Sequence, residues 1–102
     1  MFRLAWTQRI LGDYERAYEL DTAVVAGYRV LLGETHPDTL RAKLAIAADL
    51  GALGRFSESK EAAGTVAEEA RLSLSPDDEF RQEIQQSAKA LETVADRFEN
   101  ED

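Results

Sequence analysis

The only histidine of this 102-residue chain, His36, is the side chain best suited to acid–base chemistry. A catalytic histidine needs a carboxylate or a nucleophile held within hydrogen-bond distance of its ring. His36 instead stands directly before Pro37, in a turn between two helical patterns, which gives it a structural explanation. The chain also lacks cysteine, so a thiol nucleophile and cysteine-bound metals are excluded. We therefore expect a protein that is not an enzyme.

A second candidate for chemistry is the acidic run Asp77-Asp78-Glu79, whose carboxylate oxygens are of the type that binds hard cations. The run follows Pro76 at the start of a predicted helix, where acidic side chains interact favourably with the positive end of the helix dipole. This structural role explains the run without a metal. We expect neither a metal site nor a cofactor.

The charge of the chain limits its partners. Twenty acidic residues against twelve basic ones give a formal net charge of −8. A negatively charged protein repels phosphate, so we expect no nucleic acid and no membrane surface among the partners. The sequence contains no run of about 18 apolar residues that could span a bilayer. The first ten residues lack the apolar core of a signal peptide, which favours a cytoplasmic location.

Apolar residues that recur every three or four positions predict an all-α protein. Helices are predicted over 1–11, 14–32, 36–53, 55–74 and 76–99, with a frayed tail at 100–102. The turns between them are short, which makes neighbouring helices antiparallel. Gly27 lies inside the second of these helices, where the missing side chain predicts close packing against a neighbouring helix.

The expected helix ends follow from capping residues. Asp13 is suited to cap the helix predicted at 14–32. Gly33 and Gly54 are suited to the left-handed position after a helix. Thr35 is one possible cap of the next helix, and His36 followed by Pro37 is the alternative. The last helix is expected to begin at position 76, with the preceding serine as its cap.

A short motif occurs twice in the chain. Leu-Gly-Asp-Tyr-Glu at 11–15 is repeated as Leu-Gly-Arg-Phe-Ser at 53–57, an offset of 42 residues. Together with Leu-Gly-Glu-Thr-His-Pro-Asp-Thr-Leu at 32–40, this pattern resembles the 42-residue tetratricopeptide repeat of kinesin light chains, which also occurs in actinobacterial signalling proteins. The resemblance covers residues 1–75 and is most specific around residues 31–56.

The resemblance implies one domain over 1–102, folded as a short α-α superhelix of antiparallel helix-turn-helix repeats. Residues 1–32 would be a partial first repeat, 36–74 a second repeat, and 76–99 a C-terminal capping helix. Members of the family are adaptors whose first helices line a concave groove that holds a protein or peptide segment. A non-catalytic adaptor or scaffold is therefore the expected function.

The family's register also implies which residues would face the partner. These are Phe2, Arg3, Trp6 and Arg9 in the partial first helix and Arg41, Leu44, Ala45 and Ala48 in the second repeat. An asparagine pair usual in such repeats is replaced here by Leu44 and Ala45. The family uses that pair to bind peptide backbone, so the replacement favours an apolar partner helix over a peptide held by backbone hydrogen bonds.

Two alternatives stay open for the partial first repeat. Phe2 and Trp6 would pack under an upstream helix if the chain belongs to a longer array. The other alternative is a homodimer that buries Phe2, Trp6 and Ile10, because one and a half repeats are fewer than the three usually needed for stability. DNA binding through a helix-turn-helix motif is not expected, since the helices are too long and none is a basic recognition helix.

Overall fold

The computed structural model describes residues 13–99. The helix predicted at 1–11 and the tail predicted at 100–102 lie outside the described residues. Four α-helices follow one another in the part described: α1 Tyr14–Leu32, α2 Pro37–Ala52, α3 Phe56–Ser73 and α4 Glu79–Glu99. No strand occurs between residues 13 and 99, and the all-α prediction is confirmed. None of these four helices combines the length and apolarity needed to cross a membrane.

The ends of α1 have the predicted chemistry. A side-chain oxygen of Asp13 accepts a hydrogen bond from the backbone N–H of Arg16 at 3.1 Å and so caps the first turn. Gly33 has a φ of 102° and ends the helix by donating its N–H to the carbonyls of Tyr28 and Arg29, each at 3.2 Å. A side chain at that φ is strained, which explains why a glycine stands there.

The start of α2 decides between the two predicted caps in favour of His36. Its Nδ1 accepts a hydrogen bond from the N–H of Asp38 at 3.1 Å, and Pro37 is the first helical residue. The hydroxyl of Thr39 donates to the carbonyl of Gly33 at 2.8 Å, which ties the helix to the turn before it. The Thr35 alternative is wrong, and the histidine has a structural role here.

The start of α4 differs from the prediction. Pro76 lies in a turn in which the N–H of Asp78 donates to the carbonyl of Ser75 at 2.9 Å. A side-chain oxygen of Asp78 then accepts from the N–H of Phe80 at 2.8 Å, so the helix begins at Glu79 and not at Pro76. Proline is favoured in such turns, and aspartate is a strong helix cap. Asp78 therefore caps α4, and Pro76 belongs to the turn before it.

Each helix packs on the next one along the chain, and α4 also packs on α2. One core cluster joins α2, α3 and α4, and its buried members are Leu40, Leu44, Ala47, Ala63, Val66, Ala70, Ile84 and Ala88. A smaller cluster joins α1 to α2 through Val24, Val25 and Ala42, with Tyr28 and Ile46 against it. Alanines on α3 allow α2 and α4 to approach closely, so the fourth helix covers much of one face of the second.

The outer face of α1 does not match the prediction. Leu31 follows the apolar periodicity of α1 but is 78% exposed, and Leu32 is also exposed. A β-carbon added at Gly27 would meet no heavy atom within 4 Å, so the close packing predicted there is absent among the described residues. On this side of α1, no described residue packs against Gly27.

Candidate functional site

The predicted groove residues divide into two sets. Phe2, Arg3, Trp6 and Arg9 lie outside the described residues, and they stay a prediction. The other four are all on α2, where the structure places each of them. Only one of these four lines an open surface groove.

Leu44 is part of the core. Its side chain is only 8% exposed and belongs to the cluster that also contains Ala63 of α3 and Ile84 of α4. Ala45 is buried as well. In this structure both side chains therefore offer little surface to a partner, and their part in a groove wall stays a prediction. Leu44 is buried because α4 packs over the side of α2 that the repeat register predicted to face a partner.

Arg41 is held by contacts within the chain. One guanidinium nitrogen lies 2.9 Å from a carboxylate oxygen of Glu83 on α4, and another lies 3.3 Å from a carboxylate oxygen of Asp38. The guanidinium carbon also lies 4.5 Å from the ring centre of Phe80, in a cation–π contact. Arg41 therefore joins α2 to the first turns of α4, and it does not form the edge of an open groove.

Ala48 lines a surface groove of about 340 Å³ between the C-terminal halves of α2 and α4 and the start of α3. We call this the α2–α4 groove, and its lining residues are Ala48, Gly51, Ala52, Phe56, Ser59, Leu91, Val94, Ala95 and Phe98. The rings of Phe56 and Phe98 stack with their centres 5.8 Å apart and their planes at 19°. Val94 and Phe98 are each 48% exposed, so the groove presents apolar surface to solvent.

The α2–α4 groove offers little for hydrogen bonding. Among the described residues that line it, the one polar side chain is that of Ser59, which is buried and donates its hydroxyl proton to the carbonyl of Ala47 at 2.7 Å. Lys60 and Asp96 form an ion pair close in sequence to the groove residues Ser59 and Ala95. A ligand in this groove would therefore be held by burial of apolar surface, at roughly 25 cal/mol for each Å² removed from water.

A second groove, of about 530 Å³, lies over α2 between α1 and α3. We call it the α1–α3 groove. Its apolar lining comprises Val25, Ile46, Leu50, Ala62 and Val66, and its polar and aromatic lining comprises Tyr18, Thr22, Arg29, Glu34, Lys43, Arg55, Glu58, Glu61, Thr65 and Glu69. The ammonium of Lys43 lies 2.8 Å from an oxygen of Glu34 and 2.9 Å from an oxygen of Glu69. This lysine is 11% exposed, and it clamps the turn after α1 to α3.

Charges in the α1–α3 groove are largely satisfied by one another. The hydrogen bond from Lys43 is the main cause of a pKa of Glu34 below its ordinary value, and Arg29 lowers this pKa further. Likewise the hydrogen bond between Arg55 and Glu58 lowers the pKa of the carboxyl group and raises the pKa of the guanidinium. These pairs hold charged side chains of the groove against one another.

No group of three or more histidine, aspartate or glutamate side chains between residues 13 and 99 is placed to hold a metal ion. The acidic run 77–79 is explained by the turn and cap described above. The lone histidine uses one ring nitrogen as a helix cap.

Sequence reasoning missed two features. The apolar periodicity of α4 identified Leu91, Val94 and Phe98 as one helix face, but it did not show that the far end of this face stays open as a groove. Asp21 was not singled out, although its side chain is fully buried in α1 and neither carboxylate oxygen has a hydrogen-bond partner among the described residues. An acidic residue between apolar positions of one helix face is the signal that could have found it.

No protein-family model, no curated protein and no solved structure matches this chain. The fold and the two grooves are therefore interpreted from the chain's own residues.

Proposed function

We propose that this chain is a non-catalytic protein-interaction module that holds a segment of another protein in the α2–α4 groove. The proposal includes a tetratricopeptide-like superhelix in which α1 ends one repeat, α2 and α3 form the next, and α4 caps it. The motifs at 32–40 and 53–57 support this assignment. So does the packing of each helix on its neighbour, with α4 on both helices of the preceding pair. A cytoplasmic location belongs to the same proposal and is supported by the absence of cysteine.

The observation that carries the proposal is the exposed apolar surface of the α2–α4 groove. Val94 and Phe98 stand about half exposed over a floor of small residues, Ala48, Gly51 and Ala52. Contiguous apolar surface on a small protein marks an interaction site more often than a lone exposed side chain does. The groove retains Ala48 from the predicted concave face, while Arg41, Leu44 and Ala45 contribute to the fold.

The partner that fits best is an amphipathic helix with basic residues beside its apolar face. Apolar residues spaced three and four apart on such a helix would enter a groove whose described lining offers no free side-chain donor or acceptor. The net charge of −8 attracts a positively charged segment and speeds its association.

The test uses fluorescein-labelled peptides of about 15–20 residues, long enough to form a helix on binding. One peptide carries leucines at helical spacing with lysines beside them, and its control has the same composition in scrambled order. Fluorescence anisotropy should detect binding of the first peptide only. Val94→Glu places a charge in the groove and should weaken binding by at least about tenfold.

Leu72→Glu is the matched control, because Leu72 is an apolar residue on α3 that is 69% exposed and does not line the groove. Its affinity for the peptide should equal that of the unmodified protein. Equal binding by the Val94→Glu variant would show that the groove is not the site.

A further inference from the structure

The α1–α3 groove is closed at both ends by contacts between its walls. At one end, the ammonium of Lys43 bridges Glu34, in the turn after α1, and Glu69 on α3. At the other end, the guanidinium carbon of Arg55, at the start of α3, lies 5.7 Å from the ring centre of Tyr18 on α1. The volume between these closures is about 530 Å³. A groove of this size that is crossed at both ends favours a compact ligand over a peptide that runs through it.

The lining between the two closures is apolar. Val25 of α1, Ile46 and Leu50 of α2, and Ala62 and Val66 of α3 contribute to it. Ile46 and Ala62 are only partly buried, so they present carbon surface to a bound molecule. A ligand of this groove therefore gains affinity from an apolar body that covers this surface.

One carboxylate of the groove has no charged partner. Of the four glutamates that line it, two pair with Lys43 and a third, Glu58, pairs with Arg55. The fourth, Glu61, is exposed on α3 between the two closures and forms no ion pair with a described residue. The three basic residues of the lining, in contrast, each have a carboxylate partner. The described lining thus has one uncompensated negative charge and no uncompensated positive charge, which favours a cation over an anion.

Two hydroxyl groups add hydrogen-bond acceptors to the walls of the groove. Thr22 on α1 donates its hydroxyl proton to the carbonyl of Tyr18 at 2.8 Å, and Thr65 on α3 donates to the carbonyl of Glu61 at 3.0 Å. Each proton is used within its own helix, so the lone pairs of the two oxygens remain to accept a hydrogen bond. A ligand that donates hydrogen bonds, as an ammonium group does, matches these acceptors.

We propose that the α1–α3 groove binds a small organic cation that carries one ammonium group on an aliphatic or aromatic body. The body covers Ile46 and Ala62, and the ammonium pairs with the carboxylate of Glu61. Thr65 lies one helical turn from Glu61 on α3, so its hydroxyl accepts a second hydrogen bond from the same ammonium. None of the described residues lines both grooves, so this site does not depend on the proposed partner site.

Two-dimensional amide NMR with phenethylamine as the probe tests the proposal. The amine is protonated at about pH 7, and it should shift the signals of Ile46, Glu61 and Thr65. Phenethyl alcohol has the same ring and chain length without the charge, so it should bind at least about threefold more weakly. Hydrocinnamate, which carries a carboxylate instead, should bind more weakly still. No localised shifts from the amine, or equal binding of all three compounds, would overturn the proposal.

Substitution of Glu61 tests the role of its charge. Glu61→Gln keeps the shape of the side chain, and it should lower the affinity for the amine at least about threefold, to that for the alcohol. Glu68→Gln is the matched control, because Glu68 is exposed on the same helix and does not line the groove. This control and Val94→Glu should bind the amine as the unmodified protein does. Undiminished binding of the amine by the Glu61→Gln variant would refute the proposal.

The leucine- and lysine-containing peptide separates a small ligand from the lysine side chain of a partner protein. The peptide should leave the signals of Ile46, Glu61 and Thr65 unchanged. If the peptide shifts these signals and the amine does not, the α1–α3 groove holds a segment of another chain, and the proposal of a small ligand is overturned.

Discussion

Two glycines of this chain differ in backbone conformation and in the space around them. Gly54 follows α2 with a φ of 81°, a conformation that costs a residue with a β-carbon roughly 1–2 kcal/mol. Gly27 lies inside α1 with open space around it, and alanine is favoured over glycine in a helix by roughly 0.5–1 kcal/mol. The same substitution should therefore have opposite effects at the two positions.

We predict that Gly54→Ala lowers the free energy of unfolding by about 1 kcal/mol and that Gly27→Ala raises it by about 0.5 kcal/mol. Urea denaturation followed by circular dichroism, at a concentration where the chain is monomeric, measures both. A loss of stability in the Gly27→Ala monomer would show that a neighbouring group fills the space beside that residue.

The buried side chain of Asp21 on α1 should destabilise the fold. Its carboxylate is fully buried without a hydrogen-bond partner among the described residues, and burying an uncompensated charge is unfavourable. Asp21→Asn keeps the shape and removes the charge, so it should raise the free energy of unfolding by about 1 kcal/mol and the melting temperature by several degrees.

Glu19→Gln, an exposed substitution on the same helix, is the control and should leave the melting temperature within a degree or two, as surface changes usually do. A lower melting temperature for Asp21→Asn would mean that the buried carboxylate has a stabilising partner.

At the residue scale, the helix caps that depend only on neighbouring residues could be predicted from the sequence. Asp13 and Gly33 act as expected, and His36 was one of two foreseen possibilities for the start of α2. Pro76 misled because proline is favoured both at the start of a helix and in a turn, and only the hydrogen bonds of Asp78 decide between them. Where a residue such as Pro76 fits both a helix start and a turn, the surrounding hydrogen bonds are needed to tell which of the two forms.

At the element scale, the packing of α4 on α2 changes the role of the predicted groove wall. A Leu→Ala substitution in a packed core usually costs about 2–5 kcal/mol, while one on a surface costs about 0.5 kcal/mol or less. Leu44→Ala should therefore lower the free energy of unfolding by about 3 kcal/mol, and Leu72→Ala should change it little. If both substitutions changed the free energy of unfolding equally little, Leu44 would lie on an exposed face and not in the core.

The clamp formed by Lys43 gives the fold a pH dependence. Because the pKa of Glu34 is lowered in the folded state, its contacts stabilise the fold above the ordinary value of 4.5. This stabilisation is lost as the pH falls through the lowered pKa of the folded protein. Acid should therefore destabilise the protein, and Lys43→Met should make that acid-induced loss smaller.

Melting temperatures at about pH 6 and about pH 3 measure this effect. Lys89→Met is the control, because Lys89 is exposed on α4 and forms no ion pair with the described residues. The control should show the same drop between the two pH values as the unmodified protein. If Lys43→Met also shows the full drop, the clamp does not contribute.

The helices themselves could be predicted because apolar periodicity and short turns act locally. The face of α2 that α4 covers could not, since a leucine such as Leu44 is equally suitable for a core and for an apolar groove. Which role it takes depends on the direction of the α4 helix after the turn at 74–78, and contacts distant in sequence, such as Arg41 with Glu83 and Phe80, help to fix that direction.

At the scale of the whole molecule, the packing of the four helices leaves two grooves. The α2–α4 groove would hold a helix of another protein. The α1–α3 groove is crossed by the contacts of Lys43 with Glu34 and Glu69, which link the turn after α1 to α3. The repeat motif predicted an interaction module, but the open surfaces only became visible once the helices were packed.

Peptide titration followed by two-dimensional amide NMR tests the central proposal most directly. Adding the leucine- and lysine-containing helical peptide should shift the amide signals of Ala48, Phe56, Leu91, Val94 and Phe98 and leave those of Ala23, Gly27 and Val30 on α1 unchanged. Shifts confined to other parts of the chain, or no shifts at saturating peptide, would contradict the assignment of the α2–α4 groove as the binding site.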